Sequence, residues 1–228
     1  MVEFENLAKK LKVKFNNIDF LRTALTHRSY LNEHHNIKEH NERLEFLGDA
    51  VLELVVTEHL YNNFNNPEGD LTNWRSALVK TETISDVAKS LGVEEYILMS
   101  RGEAKSFGRS RQLILANAFE AIVGAIFLDQ GLEKAKKFIQ DNLITRLDQI
   151  LKEKSYVDPK SLFQELVQDK EGVTPSYEVL AEEGPDHDKV FTIGVFVDEK
   201  KWGEGIGPSK QAAQQAAAES ALKKIQKK

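Results

Sequence analysis

Cysteine is absent from the 228 residues. Disulfide staples and thiolate metal sites are therefore excluded, and a reducing compartment is compatible with the chain. The first fifteen residues are charged and periodic, without the apolar centre of a secretion signal. No apolar run approaches the roughly 20 residues that span a bilayer. These absences lead us to expect a soluble, cytoplasmic protein with no membrane partner. An excess of positive charge is also missing. The formal net charge is −5, with 21 basic and 23 acidic side chains in residues 1–154 and 10 and 13 in 155–228. Bulk charge thus gives no hint of a nucleic-acid coat, although local basic patches remain open. Internal repeats and low-complexity tracts are lacking too. What is present is a 41% hydrophobic fraction, enough for a buried core in one large or two modest domains.

Apolar residues recur at three and four spacing over Leu7–Leu11, Phe20–Leu25, Leu44–Leu60, Leu71–Val79, Ile84–Leu91, Leu113–Leu128 and Phe138–Leu151, which predicts helices. The Asn65-Asn66-Pro67-Glu68-Gly69 stretch should break one of them, and no strand is expected before residue 150. The pattern changes at Lys152-Glu153-Lys154-Ser155, ahead of Asp158-Pro159. Beyond it a helix at Pro159–Gln168 precedes alternating runs at Tyr177–Leu180 and Val190–Val197, a third strand about Lys201–Gly205 and an alanine-rich helix at Ser209–Ile225. The expected fold is therefore multi-domain: an all-α domain over 1–151, a linker at 152–157 and a small α+β module, α-β-β-β-α, over 158–228.

Two helices carry the chemistry. Glu42, Glu45 and Asp49 lie three and four residues apart and project from one helix face. Leu44, Phe46, Leu47, Ala50, Val51, Leu52 and Leu54 surround them, so the helix is expected to be mostly buried. Buried carboxylates need a cation, a proton or strong donors, and oxygen-only ligands suit a hard ion such as magnesium or manganese. Asn117 and Glu120 form a second polar pair in another apolar helix. Packed together, the two helices could make a metal cage. Equally, the acids could be satisfied by salt bridges, Arg43 being an available partner. Gly48 beside Asp49 costs about 1 kcal/mol in a helix and suggests that something approaches closely there.

The run from Asn41 to Leu52 (Asn-Glu-Arg-Leu-Glu-Phe-Leu-Gly-Asp-Ala-Val-Leu) resembles the signature of bacterial ribonuclease III. Ala24–Tyr30, the segment Glu68–Thr72 followed by Arg75, Leu78 and Val79, and Ile114–Asp129 resemble further motifs of that family. The module resembles a double-stranded-RNA-binding domain. The resemblance implies a helical endonuclease domain that forms a homodimer and hydrolyses double-stranded RNA with Mg2+, or Mn2+ as substitute, and needs no organic cofactor. It implies 5′-phosphate and 3′-hydroxyl ends and a role in processing ribosomal precursors and other structured transcripts. By position, Glu45, Asn117 and Glu120 match the family's metal ligands and Asp49 and Glu120 its catalytic acids. Glu42 and Glu68 match acids near the scissile strand. Family members usually carry aspartate where this chain has Asn117. An amide offers one carbonyl oxygen but no charge, so metal binding should weaken. The other possibility is an RNA-binding protein whose cleavage is weakened or lost.

In the module, Ser161, Gln164, Glu165 and Gln168 share one helix face, suited to 2′-hydroxyls in the minor groove. His187 lies in a loop placed to enter a second minor groove. Gly205, Gly207, Ser209 and Lys210 are expected at a helix N-terminus that meets phosphates. The family usually has more lysines around Gln211, so weak, salt-sensitive binding is expected. His34, His35 and His40 read as a turn. Ile126, Phe127 and Leu128 read as core or dimer contact, and Trp74 and Trp202 as packing residues.

Overall fold

The computed structural model describes residues 3–154, 156, 158–185 and 189–225. The chain divides into two compact units, Met1–Tyr156 and Val157–Lys228.

The first unit is helical: α1 Phe4–Lys10, α2 Asp19–Ala24, α3 Glu42–Asn63, α4 Glu68–Val79, α5 Thr81–Ser90, α6 Arg109–Gln130, α7 Leu132–Asn142 and α8 Leu147–Glu153. Its centre is α6, packed against α2, α3, α5 and α7. Ala118, Phe119, Ala121, Ile122, Val123, Ala125 and Ile126 on α6 are wholly buried. By length and composition α6 could cross a membrane, a feature we did not expect from the sequence. Protein covers it on several sides, as befits the core helix of a globular unit. The stretch expected as one helix, Phe138–Leu151, is interrupted by a short 3-10 turn at Ile144–Arg146. Leu143, Ile144 and Leu147 are all buried there, so the turn redirects the chain without exposing its apolar face. Lys152 and Glu153, expected in the linker, belong to α8. Tyr156 packs edge-on against Trp74, ring centroids 6.1 Å apart.

The helices α3 and α6 meet backbone to backbone. A Cβ on Gly48 would collide with the backbone carbonyl of Glu120, and one on Gly124 with the carbonyl of Leu44. The helices are close enough only because both positions lack a side chain. The remaining motif segments anchor α3. The Asn41 N–H at its start donates to the Thr26 carbonyl at 2.9 Å. From α4, Arg75 reaches α3 twice, 3.2 Å from Glu53 and 3.1 Å from the Thr57 hydroxyl.

The second unit comprises α9 Pro159–Glu171, strands β1 Ser176–Glu183, β2 Val190–Val197 and β3 Lys200–Gly207, and α10 Lys210–Ile225. Asp158 caps α9, its carboxylate accepting from the Ser161 N–H at 2.8 Å. The sheet is antiparallel in the order β1-β2-β3, with Ile193 paired to both Val179 and Gly205. Phe163, Val167, Val195 and Val197 form the core with Ala217, Ala218, Ala221 and Leu222 of α10. Burying Phe163 alone contributes about 2–3 kcal/mol. The α-β-β-β-α order is the one expected. Gly205 lies in β3, in keeping with the expected third strand and not with a helix N-terminus, and Gly207 also lies in β3 instead of at the helix N-terminus; both admit the backbone of α10.

Candidate active site

Glu45 and Asp49 sit on α3, and Asn117 and Glu120 on α6. Gly48 lies between Glu45 and Asp49 and meets the backbone of Glu120 and Gly124, so the four side chains emerge beside this seam. Desolvation and the neighbouring charges of Asp49 and Glu45 push the Glu120 carboxyl up to about 8. Burial also raises Glu45, followed by the charge of Glu42, with Asp49 adding, while the Asn117 side chain works the other way. Three carboxylates from two helices thus share one electrostatic environment.

Charge compensation in the cluster is thin. Glu42 lies 3.7 Å from Arg28 and 3.9 Å from the His40 Nδ1. Among the described residues no ion pair involves Arg43, the partner considered from sequence, or Glu45, Asp49 or Glu120. The donor set is oxygen only and mostly anionic, which suits a hard divalent cation. Among the described residues no three His, Cys, Asp or Glu side chains are gathered tightly enough to hold a metal ion as they stand. Repelling carboxylates splay apart without a cation between them, and rotamer changes alone can bring them together around one. The residues present fit such a cation, with Asn117 one charge short of an all-carboxylate set.

Glu68 opens α4, exposed, and accepts from the Thr72 hydroxyl at 3.1 Å. Among the described residues no hydrogen bond or ion pair joins it to the cluster, so the structure does not bring it together with Glu45, Asp49 and Glu120. Of the histidines expected in a turn, His34 stacks on Tyr30, ring centroids 3.9 Å apart. Trp74 is buried against Phe64 and Trp202 packs near Phe163, both as packing residues.

The expectation that α3 is mostly buried needs correction. Phe46 is 82% exposed, Leu54 56% and Tyr61 77%, and Ala50 between them is exposed as well. They follow one stripe at helical spacing on the side away from the core. Phe46 and Leu128, itself 51% exposed, line a cleft of about 910 Å³. Sequence reasoning read this surface as core. The available signal was that α3 is apolar on more faces than its core contacts require.

In the second unit, Ser161, Gln164, Glu165 and Gln168 all lie on the outer face of α9, opposite buried Phe163 and Val167. Gln168 donates to the Thr174 hydroxyl at 3.1 Å. Ser209 precedes α10 and its hydroxyl accepts from the Ala212 N–H at 3.2 Å. Lys210 opens α10 but is engaged within the unit, 3.1 Å from Glu182 and over the Phe191 ring. His187 lies outside the described residues.

Comparison with known proteins gives this geometry its setting. A ribonuclease-III-like family model matches residues 17–147, and a double-stranded RNA binding motif matches 159–225. The chain is 43% identical over 225 residues to a protein called Ribonuclease 3 in Borreliella afzelii, covering 98% of this chain and 92% of that one. It is 44% identical over 220 residues to the Ribonuclease 3 of Bdellovibrio bacteriovorus, covering 96% and 94%. A crystal structure of the nuclease domain of ribonuclease III from Campylobacter jejuni matches with 42% identity and a TM-score of 0.56, over 62% of this chain and 93% of that one. A helical nuclease unit joined to a double-stranded-RNA-binding module, aligned with such relatives over nearly its whole length, places this chain in the ribonuclease III family.

Proposed function

We propose that the chain is an endoribonuclease that hydrolyses phosphodiester bonds in double-stranded RNA with Mg2+, for which Mn2+ can substitute. The observation that carries this is the placing of Glu45 and Asp49 on α3 beside Glu120 on α6, across a seam that admits no side chain at Gly48 or Gly124, with burial and the neighbouring acids raising the Glu120 carboxyl. Strongly shifted acids on a rigid frame mark functional sites more often than structural ones. Glu45, Asn117 and Glu120 would hold the cation, with Asp49 and Glu120 as the catalytic acids and Glu42 at the rim. When bound, the cation supplies neutralisation of phosphate charge and a lowered water pKa. The chain's own part is positioning. The seam fixes the spacing of the two helices, Arg75 and the Thr26 carbonyl hold α3, and the carboxylates orient water and accept its proton. The products are assigned 5′-phosphate and 3′-hydroxyl ends.

The division into nuclease domain 1–151, linker 152–157 and RNA-binding domain 158–228 belongs to the same proposal. So do the RNA contacts of Ser161, Gln164, Glu165, Gln168, His187, Ser209 and Lys210, and a further acid at Glu68. We assign the exposed stripe of Phe46, Ala50, Leu54 and Tyr61 to a homodimer interface, because a contiguous apolar surface of this kind marks association. Processing of ribosomal precursors and other structured transcripts in the cytoplasm completes the assignment.

Asn117 favours a second function, a double-stranded-RNA-binding protein with weakened or lost cleavage. Incubating a long RNA duplex with the chain under a magnesium titration, with manganese and with chelator separates the two. Cleavage that needs the ion supports the nuclease. Binding without cleavage at every ion concentration rejects it. Asn117→Asp should lower the magnesium needed for half-maximal rate by about tenfold, as one added ligand charge strengthens a hard-ion site.

A further inference from the structure

The nuclease unit has a second charged feature, of opposite sign and away from the acids. Where α1 ends, α6 ends and α7 passes, the chain leaves a cleft of about 850 Å³. Lys10, Lys12, Lys14, Lys134 and Lys137 all line it. Two are neutralised, Lys10 by Glu95 at 3.5 Å and Lys137 by Asp141 at 3.0 Å. Lys12, Lys14 and Lys134 are exposed and have no carboxylate partner among the described residues. Gln130 lines the same cleft, and its amide nitrogen is buried without a hydrogen-bond partner. An orphaned buried donor beside unpaired cations is the complement of an anion with several acceptor oxygens.

Lys12 also closes α1. Its φ is +57°, in the left-handed region that favours glycine and costs other residues about 1 kcal/mol. It is the residue just past the end of α1, where the Lys12 N–H donates to the Lys9 carbonyl at 3.1 Å and the Val13 N–H to the Ala8 carbonyl at 3.0 Å, so the closing of the helix accounts for the conformation.

We propose that this cleft binds phosphate, and that its occupant is the backbone of an RNA duplex extending beyond the cut site. The assignment rests on the chain being a double-stranded-RNA endoribonuclease. Lysines and an amide donor suit phosphate oxygens, and such contacts position a nucleic acid without reading its sequence. Gln130 follows Glu120 by ten residues on α6, about 15 Å along the helix axis, a separation well within the length of a duplex that extends past the cut site. In the RNA-binding module, Lys210 is already paired to Glu182.

The test uses the full chain with chelator and an RNA duplex of about 30 base pairs, longer than the roughly 16 that one module spans. Affinity is measured against salt for the parent, for Lys12→Gly and for Lys12→Gly with Lys134→Gln. Glycine adopts the backbone at residue 12 without strain, so Lys12→Gly should melt no lower than the parent while binding RNA about 3-fold more weakly. The double variant should bind about 10-fold more weakly, and the slope of log affinity against log salt should fall by roughly 1.5 for two lost phosphate contacts. Unchanged affinity and slope in variants that still bind and cut duplex overturn the proposal. Calorimetry with inorganic tripolyphosphate separates the source: loss of tripolyphosphate binding with RNA binding intact rejects RNA as the occupant. A parent chain that neither binds nor cuts duplex fails at the earlier step, and the proposed function falls with it.

Discussion

The two units place their functional side chains in opposite ways. In the nuclease unit Glu45 and Glu120 are partly buried beside a helix seam that admits no side chain at Gly48 or Gly124. In the RNA-binding module Ser161, Gln164, Glu165 and Gln168 lie on open surface, and Lys210 is paired within the unit. Acids placed in a low-dielectric setting cost stability, so their positions are specified by everything around them. Surface polar groups cost little, and many arrangements of them serve equally well.

This contrast makes its most severe prediction at Glu120. Glu120→Gln should lower the duplex cleavage rate by 10³-fold or more, with duplex affinity within about twofold of the parent. Equal loss of both would show that the substitution damages the fold instead. The same variant tests the cost of burial. A carboxyl whose folded pKa is raised destabilises the fold once pH exceeds its unfolded value near 4.5. The penalty grows as pH rises towards about 8 and is absent well below 4.5. In chelator, Glu120→Gln should therefore be more stable than the parent at pH 8 by about 3 kcal/mol, and the two melting temperatures should converge near pH 4.

Gly48→Ala comes next. The added Cβ meets the Glu120 carbonyl, so α3 and α6 must part, at a cost of about 3 kcal/mol. A melting temperature within 2 °C of the parent, a shift worth less than about 1 kcal/mol, would mean the seam is not the frame of the site. Phe46→Asp should leave the melting of the monomer nearly unchanged, because the ring is exposed, but should turn a dimer into a monomer in sedimentation equilibrium. A variant that remains dimeric would remove the stripe from the interface. The smallest effect belongs to the module. Glu182→Gln frees Lys210 from its 3.1 Å ion pair, and duplex affinity should rise by about 2–3-fold, the scale of a surface salt bridge. No gain would mean that Lys210 does not touch RNA.

Legibility in the sequence followed the same division. The helices of the first unit and the acids of α3 and α6 were readable because burial imposes periodicity and makes charge conspicuous. The α-β-β-β-α order was readable from the switch in hydrophobic period. What could not be read was which apolar face of α3 is core, since Phe46 and Val51 look alike until a partner is placed beside them. Also invisible was the break after Asn142, because Leu143, Ile144 and Leu147 continue an apolar pattern through a change of direction. Gly207 looked like a cap residue next to Ser209, and only the packing of β3 on α10 shows why it lacks a side chain. The ion pair of Lys210 with Glu182 joins residues 28 apart, which spacing cannot reveal.

The Gly48–Gly124 seam has one more consequence. Because backbone meets backbone there, the distance between α3 and α6 is set by atoms that no substitution elsewhere can resize. Changes to Glu45, Asp49, Asn117 or Glu120 can alter charge and ligand type without moving the frame that presents them. Asn117→Asp would be one such exchange, a change of electrical content inside a fixed aperture.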